Sequence, residues 1–328
     1  MSRIVSFPLI ARDLINGRLA GLEGLDLVTV DRLEEIASKL DGADALIMPG
    51  GEAHYSVEIA RAVREKAKDL RWIQLTSAGY DGLVAFGVPD GVIVTGNGGA
   101  LAVPVAEHAM ALLLSLSRRL HENVQNQMRR TWERNTQTPV KSLDGSTVLV
   151  AGFGSIGREV ARRAKAFNMH VIGMRRTPTP DEMADEIVGM DDLKPALKRA
   201  DAIILCLPLN DATHQIINRE TLAACKPDSW IINVGRGGLI DTEALMDALQ
   251  NGMLGGAGLD VTEPEPVPAD HPLWATPNVI ISPHVGGGGS RKSYERIADT
   301  VTENARRFIA GEDLQELIDL RVMVSGHS

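Results

Sequence analysis

The chain has 328 residues, and its 34 Lys and Arg against 43 Asp and Glu give a formal net charge of −9. A general nucleic-acid-binding protein needs a basic face to neutralise phosphates, and this composition excludes one. The longest uncharged apolar stretch is far shorter than the roughly 20 residues of a membrane span, and the N-terminus has no signal-peptide pattern. We therefore expect a cytoplasmic protein that binds neither nucleic acid nor a membrane.

Two cysteines, Cys206 and Cys225, are too few for a disulfide framework or a cysteine zinc site. The sequence also has no metal-binding motif such as HExxH and no cluster of histidines and carboxylates. We therefore expect reduced thiols and no metal.

Short apolar runs alternate with longer helical patterns along the chain, and each short run predicts a strand. The runs are apolar on both faces, as is typical of parallel strands covered by helices on both sides. The alternation predicts an α/β fold with two doubly wound parallel-sheet domains. In chain order the predicted strands are 4–7, 27–30, 45–48, 72–75, 92–95, 147–151, 170–174, 202–207, 230–234 and 279–282.

A long helix is predicted over 103–121, between the two sets of strands. Its apolar residues cover nearly the whole circumference, which predicts burial on several sides. It fits a junction of the two domains, with or without a subunit interface, and it fits a plain core helix equally well. A second helix over 290–309 would return the chain to the first domain. The predicted division is therefore 1–100 with 290–328 as one domain and 101–289 as the other.

The strongest local motif is Gly152-Phe-Gly154-Ser155-Ile156-Gly157, which follows a predicted strand and opens a predicted helix. In such a turn the first glycine permits a tight bend, the second lets a pyrophosphate approach the backbone, and the third lets helix pack on strand. The helix N-terminus then offers free N–H groups to phosphate. We interpret the motif as a dinucleotide-binding turn; a glycine-rich turn without a ligand is the alternative.

The residues that follow the next strand predict which dinucleotide is bound. An NAD site has an acidic residue there, about 20 residues after the glycines, for the ribose hydroxyls. This chain has Arg175, Arg176 and Thr177 instead. Because a guanidinium binds phosphate through charge-assisted bonds, we predict a preference for NADP over NAD. The alternative is that the two arginines are a solvated loop pair.

From residue 143 to 288 the chain resembles the D-isomer-specific 2-hydroxyacid dehydrogenases. The matching segments include LDGSTVLVAGFGSIGREVA, ADAIILCLPLNDATHQII, INVGRGGLIDTEALMDALQNGMLGGAGLDVTEPEP and NVIISPHVGG, and LRWIQLTSAGYDGL and VAEH also fit. In the cofactor region the chain is most similar to NADPH-preferring glyoxylate/hydroxypyruvate reductases. The resemblance implies a Rossmann cofactor domain, a flavodoxin-like substrate domain and an active site in the cleft.

The resemblance also implies three catalytic residues. Arg236 would bind the substrate carboxylate and polarise its carbonyl, His284 would exchange the proton, and Glu265 would orient the imidazole. The chemistry requires the same groups, because hydride transfer to a carbonyl builds an alkoxide that needs a proton, and a neighbouring carboxylate favours the imidazolium. Glu263 is a second candidate for the acidic residue. The family, however, has its catalytic acid five positions after the aspartate of LDV, which is Asp260 here, and that position is Glu265. The alternative is that Glu265 is a solvated loop residue and His284 a histidine at a strand end, neither with a catalytic role.

Further contacts carry over by position. Asp260 would accept a hydrogen bond from the nicotinamide carboxamide, and the turn formed by Ser77, Ala78 and Gly79 would offer backbone N–H groups to the substrate carboxylate. The other expected cofactor contacts are Leu207, Pro208 and Thr213 on the adenosine side, Val234 and Gly235 at the ribose and nicotinamide, and Arg236, His284 and Gly286. His108 and His271 are given no role.

The sequence thus predicts an oxidoreductase that transfers a hydride between NADP(H), or NAD(H), and a small 2-oxo acid or D-2-hydroxy acid, and that acts as a homodimer. A non-enzymatic corepressor that senses NAD(P)(H) on the same fold is the alternative, disfavoured because we expect no extra tails. Formate dehydrogenase has a related fold but no glutamate beside its histidine, so the presence of Glu265 disfavours that activity. Phosphoglycerate dehydrogenase is disfavoured by the expectation that no regulatory domain follows residue 328. We expect Trp132 to lie in a surface loop. The less favoured alternative is that its side chain reaches a pocket across a dimer interface.

Overall fold

The computed structural model describes residues 1–134 and 140–320. The chain divides into two compact units, one formed by Met1–Leu101 with Gly289–Ser328 and the other by Ala102–Gly288. Residues 321–328, the predicted end of the first domain, lie outside the described residues. In the described part, no helix has both the length and the apolar character needed to cross a bilayer.

The first unit contains a five-stranded sheet with the order β2-β1-β3-β4-β5, and all its pairs are parallel. This order is that of flavodoxin-like folds, in which the chain reverses direction across the sheet next to the first strand. Every residue of β3 and β4 is buried, because helices cover both faces. The strands are β1 Ser2–Ser6, β2 Leu25–Thr29, β3 Ala45–Met48, β4 Trp72–Leu75 and β5 Ile93–Thr95, and the helices are α1 Arg12–Leu19, α2 Ile36–Lys39, α3 Val57–Lys66, α4 Asp81–Phe86 and α11 Arg291–Ala310.

A buried polar network fastens the returning C-terminal segment to this sheet. Asn304 on α11 donates from Nδ2 to Oε1 of Gln74 at 2.9 Å and accepts from the backbone N–H of Gln315 at 2.8 Å. Gln74 also accepts from the Thr95 hydroxyl at 2.9 Å and donates to the Gly96 carbonyl at 2.7 Å. Because buried polar groups are costly unless they are paired, this network fixes where α11 and the segment after it pack.

The second unit contains a seven-stranded sheet with the order β12-β11-β10-β9-β6-β7-β8, again with parallel pairs throughout. This is the Rossmann order extended by one strand, and the chain reverses direction between β6 and β9. The strands are β6 Thr147–Ala151, β7 His170–Met174, β8 Glu186–Val188, β9 Ala202–Leu205, β10 Trp230–Asn233, β11 Gly256–Leu259 and β12 Val279–Ile281, and the helices are α5 Ala102–Ser117, α6 Leu120–Met128, α7 Ser155–Ala166, α8 Leu193–Leu197, α9 Arg219–Leu222 and α10 Thr242–Gln250.

The predicted fold class is therefore confirmed, and every predicted strand is present. Two further strands, β8 and β11, were not predicted. Strand β11 was missed because it contains two glycines, and both have a steric cause. A Cβ on Gly256 would lie 2.9 Å from Leu116, and one on Gly258 would lie 2.9 Å from Leu112. The glycines let α5 pack closely on the sheet, and they also remove the β-branched pattern by which a strand is recognised.

The single helix predicted over 103–121 is wrong in its extent, because two helices, α5 and α6, occupy this region. Arg119 separates them in a left-handed conformation, with φ of 55°. Its buried guanidinium donates to Glu122 at 2.7 Å and to Asn278 at 3.0 Å, so the break serves to bring this side chain inside. Helix α5 packs against α7, β10 and β11, as a core helix does; its place at a subunit interface stays a prediction.

Candidate active site

The predicted cofactor and catalytic residues of the second unit all follow the carboxyl ends of its strands. In open α/β sheets this edge binds ligands, close to the point where the strand order reverses. The segments that meet there are 152–157 after β6, 175–177 after β7, 207–213 after β9, 234–236 after β10, 260–265 after β11 and 284–286 after β12.

The glycine turn meets the steric requirements of a phosphate-binding loop. Gly152 has φ of +97°, and a Cβ there would lie 2.5 Å from the carbonyl carbon of Cys206. A Cβ on Gly157 would overlap the Gly152 carbonyl oxygen. At Gly154 a Cβ would meet no atom within 4 Å, so internal packing does not require this glycine. The residues therefore fit a ligand that approaches the backbone at Gly154.

Helix α7 begins directly at this turn. Gly154 is its N-cap and makes no side-chain capping bond. The N–H groups of the first turn, which includes Ser155 and Ile156, have no intrahelical acceptor and lie at the positive end of the helix dipole. The turn can therefore bind the phosphates of a dinucleotide.

The two arginines after β7 differ in their surroundings. Arg175 is half-buried and donates to the carbonyl and hydroxyl oxygens of Thr179, and its Nη1 lies 4.0 Å from the Asp181 carboxylate. Asp181 also pairs with Arg158 at the start of α7. Arg176 is exposed, like Thr177 beside it. Arg175 is therefore held by its own loop while Arg176 faces solvent, and the role of the two arginines in binding a phosphate stays a prediction.

On the predicted adenosine side, Leu207 is buried and Pro208 is exposed. The buried Thr213 donates from its hydroxyl to the Pro208 carbonyl at 2.7 Å and accepts from the Asn210 N–H at 2.9 Å. Its hydroxyl therefore shapes the loop after β9.

The loop that carries Arg236 is held from two directions. Asn233, at the end of β10, donates to the Arg236 carbonyl at 2.9 Å and accepts from the Gly235 N–H at 3.1 Å. A Cβ on Gly237 would overlap the Thr262 carbonyl. Asn233 was missed in the sequence; an amide at a strand end directly before a glycine-rich loop was the available signal. Buried Val234 precedes this loop.

His284 and Glu265 form a hydrogen-bonded pair, with Nδ1 of the imidazole 2.7 Å from Oε1 of the carboxylate. Because a carboxylate accepts, Nδ1 carries the proton, and Nε2 is left for another partner. Glu263 lies elsewhere, with its carboxylate near Gly238 and its carbonyl accepting from the Thr242 hydroxyl. The structure thus joins the glutamate that the sequence favours to the histidine; their catalytic roles stay predictions.

Asp260 holds the loop that carries His284. Its buried carboxylate accepts from the Ser282 hydroxyl at 2.7 Å, from the Val285 N–H at 3.0 Å and from the Gly286 N–H at 2.9 Å. A Cβ on Gly286 would lie 2.7 Å from Oδ2, which explains the glycine. The predicted carboxamide contact stays a prediction.

A histidine without a predicted role, His108, also reaches this carboxylate. His108 on α5 lies with Nε2 2.7 Å from the Ser282 hydroxyl and 3.2 Å from Oδ1 of Asp260. The sequence separation of 174 residues between His108 and Ser282 hides this contact; the VAEH motif was the only signal.

In the first unit, the turn of Ser77, Ala78 and Gly79 follows β4. The Ser77 hydroxyl accepts from the Gly50 N–H at 2.9 Å and donates to the Gly79 carbonyl at 2.9 Å. Among the described residues, no backbone carbonyl accepts from the N–H groups of this turn. The turn is thus fixed and has N–H groups that could bind an anion.

No metal-binding group of three or more His, Cys, Asp or Glu side chains is found among residues 1–134 and 140–320. The candidate site consists of the glycine turn, the loop that carries Arg236 and the hydrogen-bonded pair of His284 and Glu265, all on one edge of a Rossmann sheet.

The chain is similar to known proteins of one family. Residues 110–286 match the family model described as D-isomer specific 2-hydroxyacid dehydrogenase, NAD binding domain. A glyoxylate reductase of Pyrococcus furiosus is 33% identical over 299 residues, covering 88% of this chain and 86% of the relative. A D-3-phosphoglycerate dehydrogenase of Methanocaldococcus jannaschii is 36% identical over 88% of this chain, which spans only 54% of that relative.

Among solved structures, the NADPH-dependent glyoxylate/hydroxypyruvate reductase of Sinorhizobium meliloti, in complex with NADP and sulfate, superposes with a TM-score of 0.81 at 25% identity, and the match covers 98% of this chain and 99% of that one. The chain therefore belongs to the D-isomer-specific 2-hydroxyacid dehydrogenases, nicotinamide-dependent oxidoreductases that act on the CH–OH group of a 2-hydroxy acid or on the corresponding 2-oxo acid.

Proposed function

We propose that the chain reduces a small 2-oxo acid of the glyoxylate or hydroxypyruvate kind with NADPH. The observation that carries this proposal is the 2.7 Å contact between His284 Nδ1 and Glu265. It supplies an oriented acid on the same sheet edge as the dinucleotide turn. The glyoxylate reductase names of relatives in the family support the substrate class.

In this proposal the bound nicotinamide supplies the hydride that reduces the substrate carbonyl. His284 donates the proton on Nε2 to the oxygen that becomes a hydroxyl, while Nδ1–H stays bonded to Glu265. The carboxylate keeps the ring orientation and tautomer fixed, so that Nε2 is the atom that exchanges the proton.

Arg236 binds the substrate carboxylate. Its guanidinium can form two parallel bonds with a carboxylate and stabilise negative charge on the neighbouring carbonyl oxygen. Asn233 fixes the Arg236 backbone from β10, and Arg236 Nη1 donates to the Gly235 carbonyl at 2.7 Å, so the positive charge is held in place before the reaction begins. That the N–H groups of the 77–79 turn bind the same carboxylate stays a prediction. The predicted position of the active site between the two domains stays a prediction.

We further propose that NADP is preferred over NAD. No carboxylate follows β7 directly, and Arg175 and Arg176 stand where an acidic residue would repel a 2′-phosphate. The S. meliloti reductase, with NADP in its complex, supports the same preference.

A homodimer is proposed on the apolar surface of α6. Leu120, Val124 and Met128 are spaced four residues apart on this helix, and Trp132 follows at the same spacing; all four are exposed. Such a stripe is typical of a helix that packs on a partner. Sedimentation velocity would test it, because Val124→Lys should yield a monomer. Location in the cytoplasm stays a prediction.

The central test is NADPH oxidation with a panel of 2-oxo acids, repeated with NADH. We expect turnover with glyoxylate or hydroxypyruvate, and we expect His284→Ala to abolish most of it while NADPH binding is retained. Tight NADPH binding without oxidation by any acid would contradict the proposal and favour a dinucleotide sensor. A His284→Ala variant with a near-normal rate would refute the role of His284.

A further inference from the structure

The histidine on α5 contacts one end of the loop that carries His284 and lies close to the other end. His108 Nε2 lies 2.7 Å from the Ser282 hydroxyl, and a Cβ on Gly286 would be 3.4 Å from the His108 ring carbon Cδ2. We propose that His108 is a positioning residue that sets the orientation of the His284 imidazole through Ser282 and Asp260. This inference rests on the proposed function.

The hydrogen bonds determine where the proton on His108 lies. The Ser282 hydroxyl has one proton and donates it to Oδ1 of Asp260 at 2.7 Å, because a carboxylate only accepts. The hydroxyl must therefore accept from the second neighbour, which is His108 Nε2. Nε2 thus carries a hydrogen, and the same N–H faces Oδ1 of Asp260 at 3.2 Å. His108 is a donor in this network.

Donors from three directions converge on the Asp260 carboxylate. Besides Ser282 and His108, it accepts from the backbone N–H groups of Val285 and Gly286. Only 4% of Asp260 is exposed, so water cannot replace a lost donor easily. Removing the His108 donor would leave both the hydroxyl and the carboxylate with a missing bond, and the loop could then shift.

The backbone of His284 makes this support necessary. Its φ of 54° lies in the left-handed region, which residues with a side chain rarely adopt. Such a conformation persists only where the surroundings hold it. The His284 N–H donates to the Asp260 carbonyl at 2.8 Å, and the following two N–H groups donate to the Asp260 carboxylate. The Asp260 network therefore fixes the residue that exchanges the proton.

The test compares two variants of His108. His108→Leu keeps an apolar side chain and loses the donor, whereas His108→Gln keeps an N–H donor at about the reach of Nε2. We expect His108→Leu to lower kcat by between about 10-fold and about 100-fold, as small misplacements of reacting groups do. KM for the 2-oxo acid should change little, since Arg236 still binds the carboxylate. His108→Gln should restore most of kcat.

A second readout needs no turnover. In the protein without substrate, the backbone N–H groups of Val285 and Gly286 should exchange with deuterium faster in His108→Leu than in the wild type, and His108→Gln should exchange like the wild type. The matched control pair is His170→Leu and His170→Gln, because His170 lies at the start of β7, on the opposite edge of the sheet. Neither control should alter kcat or exchange of the 282–286 loop.

Equal kcat in His108→Leu and His108→Gln would overturn the inference, as would unchanged exchange at Val285 and Gly286. If His108→Leu fails to fold, Ser282→Ala removes the same relay and should give the same loss of kcat and the same faster exchange. A wild-type protein without turnover would refute the proposed function, whereas the exchange experiment would still test the role of His108 in holding the loop.

Discussion

Nδ1 of His284 and Oε1 of Glu265 lie 2.7 Å apart, although 48% of the histidine side chain and 42% of the glutamate side chain are exposed. Solvent screens an ion pair at such a position, so the pair adds little to folding stability. Its effect is on the orientation of one ring. Activity and stability should therefore respond differently when the pair is altered.

Glu265→Gln should separate these effects. The amide can still accept from Nδ1 but has no charge, so the bond that orients the ring is weaker. We expect kcat for reduction to fall by about 100-fold, the lower range for general acid catalysis, with an unchanged melting temperature. Steady-state kinetics measure kcat, and thermal unfolding measures the melting temperature.

Glu263→Gln is the matched control, because Glu263 lies two residues away and is not paired with His284. Its kcat should match that of the wild type. The proposed pairing would be refuted if the two glutamine variants lost activity equally.

The arginines after β7 allow a prediction about cofactor choice. Replacing Arg175 and Arg176 with Ala together should weaken NADPH binding by between about 10-fold and about 100-fold, the value of one or two charge-assisted bonds, while NADH binding changes little. Fluorescence titration with both nucleotides measures the ratio. Thr179→Val serves as a control, because it disturbs the loop without removing either positive charge. Equal losses for both nucleotides in the double variant would contradict a role in binding the 2′-phosphate.

Features that depend on neighbours in the chain were predicted from the sequence, and features that depend on residues far apart in the chain were missed. The glycine turn and the strands with β-branched residues were predicted because each depends on neighbours in the chain. Strand β11 was missed because its glycines fit the side chains of α5, and the break at Arg119 was missed because it depends on Asn278. The contact of His108 with Ser282 spans 174 residues, and no local pattern encodes it.

The two cysteines should resist modification in the folded protein. Burial raises the pKa of the Cys206 thiol to about 12 and that of Cys225 to about 11, from an ordinary value of 9.0. Only the thiolate reacts, so raising the pKa reduces the reactive fraction at pH 8 by about 1000-fold for Cys206 and about 100-fold for Cys225. A thiol-specific dye should label neither thiol within minutes at pH 8. It should label both once guanidinium unfolds the chain, and rapid labelling of native Cys206 would contradict its raised pKa.

Asn304→Ala should destabilise the first unit. The change leaves the Gln315 N–H without its acceptor and removes one of the donors to Gln74, both in a buried network. Each buried polar group left unpaired costs about 1–3 kcal/mol, so we expect the free energy of unfolding to fall by about 3 kcal/mol. Guanidinium unfolding followed by circular dichroism measures this fall. Lys292→Ala, at an exposed position on the same helix, should stay within about 0.5 kcal/mol of the wild type. If Asn304→Ala were no more destabilising than Lys292→Ala, the network would not be what holds α11 on the sheet.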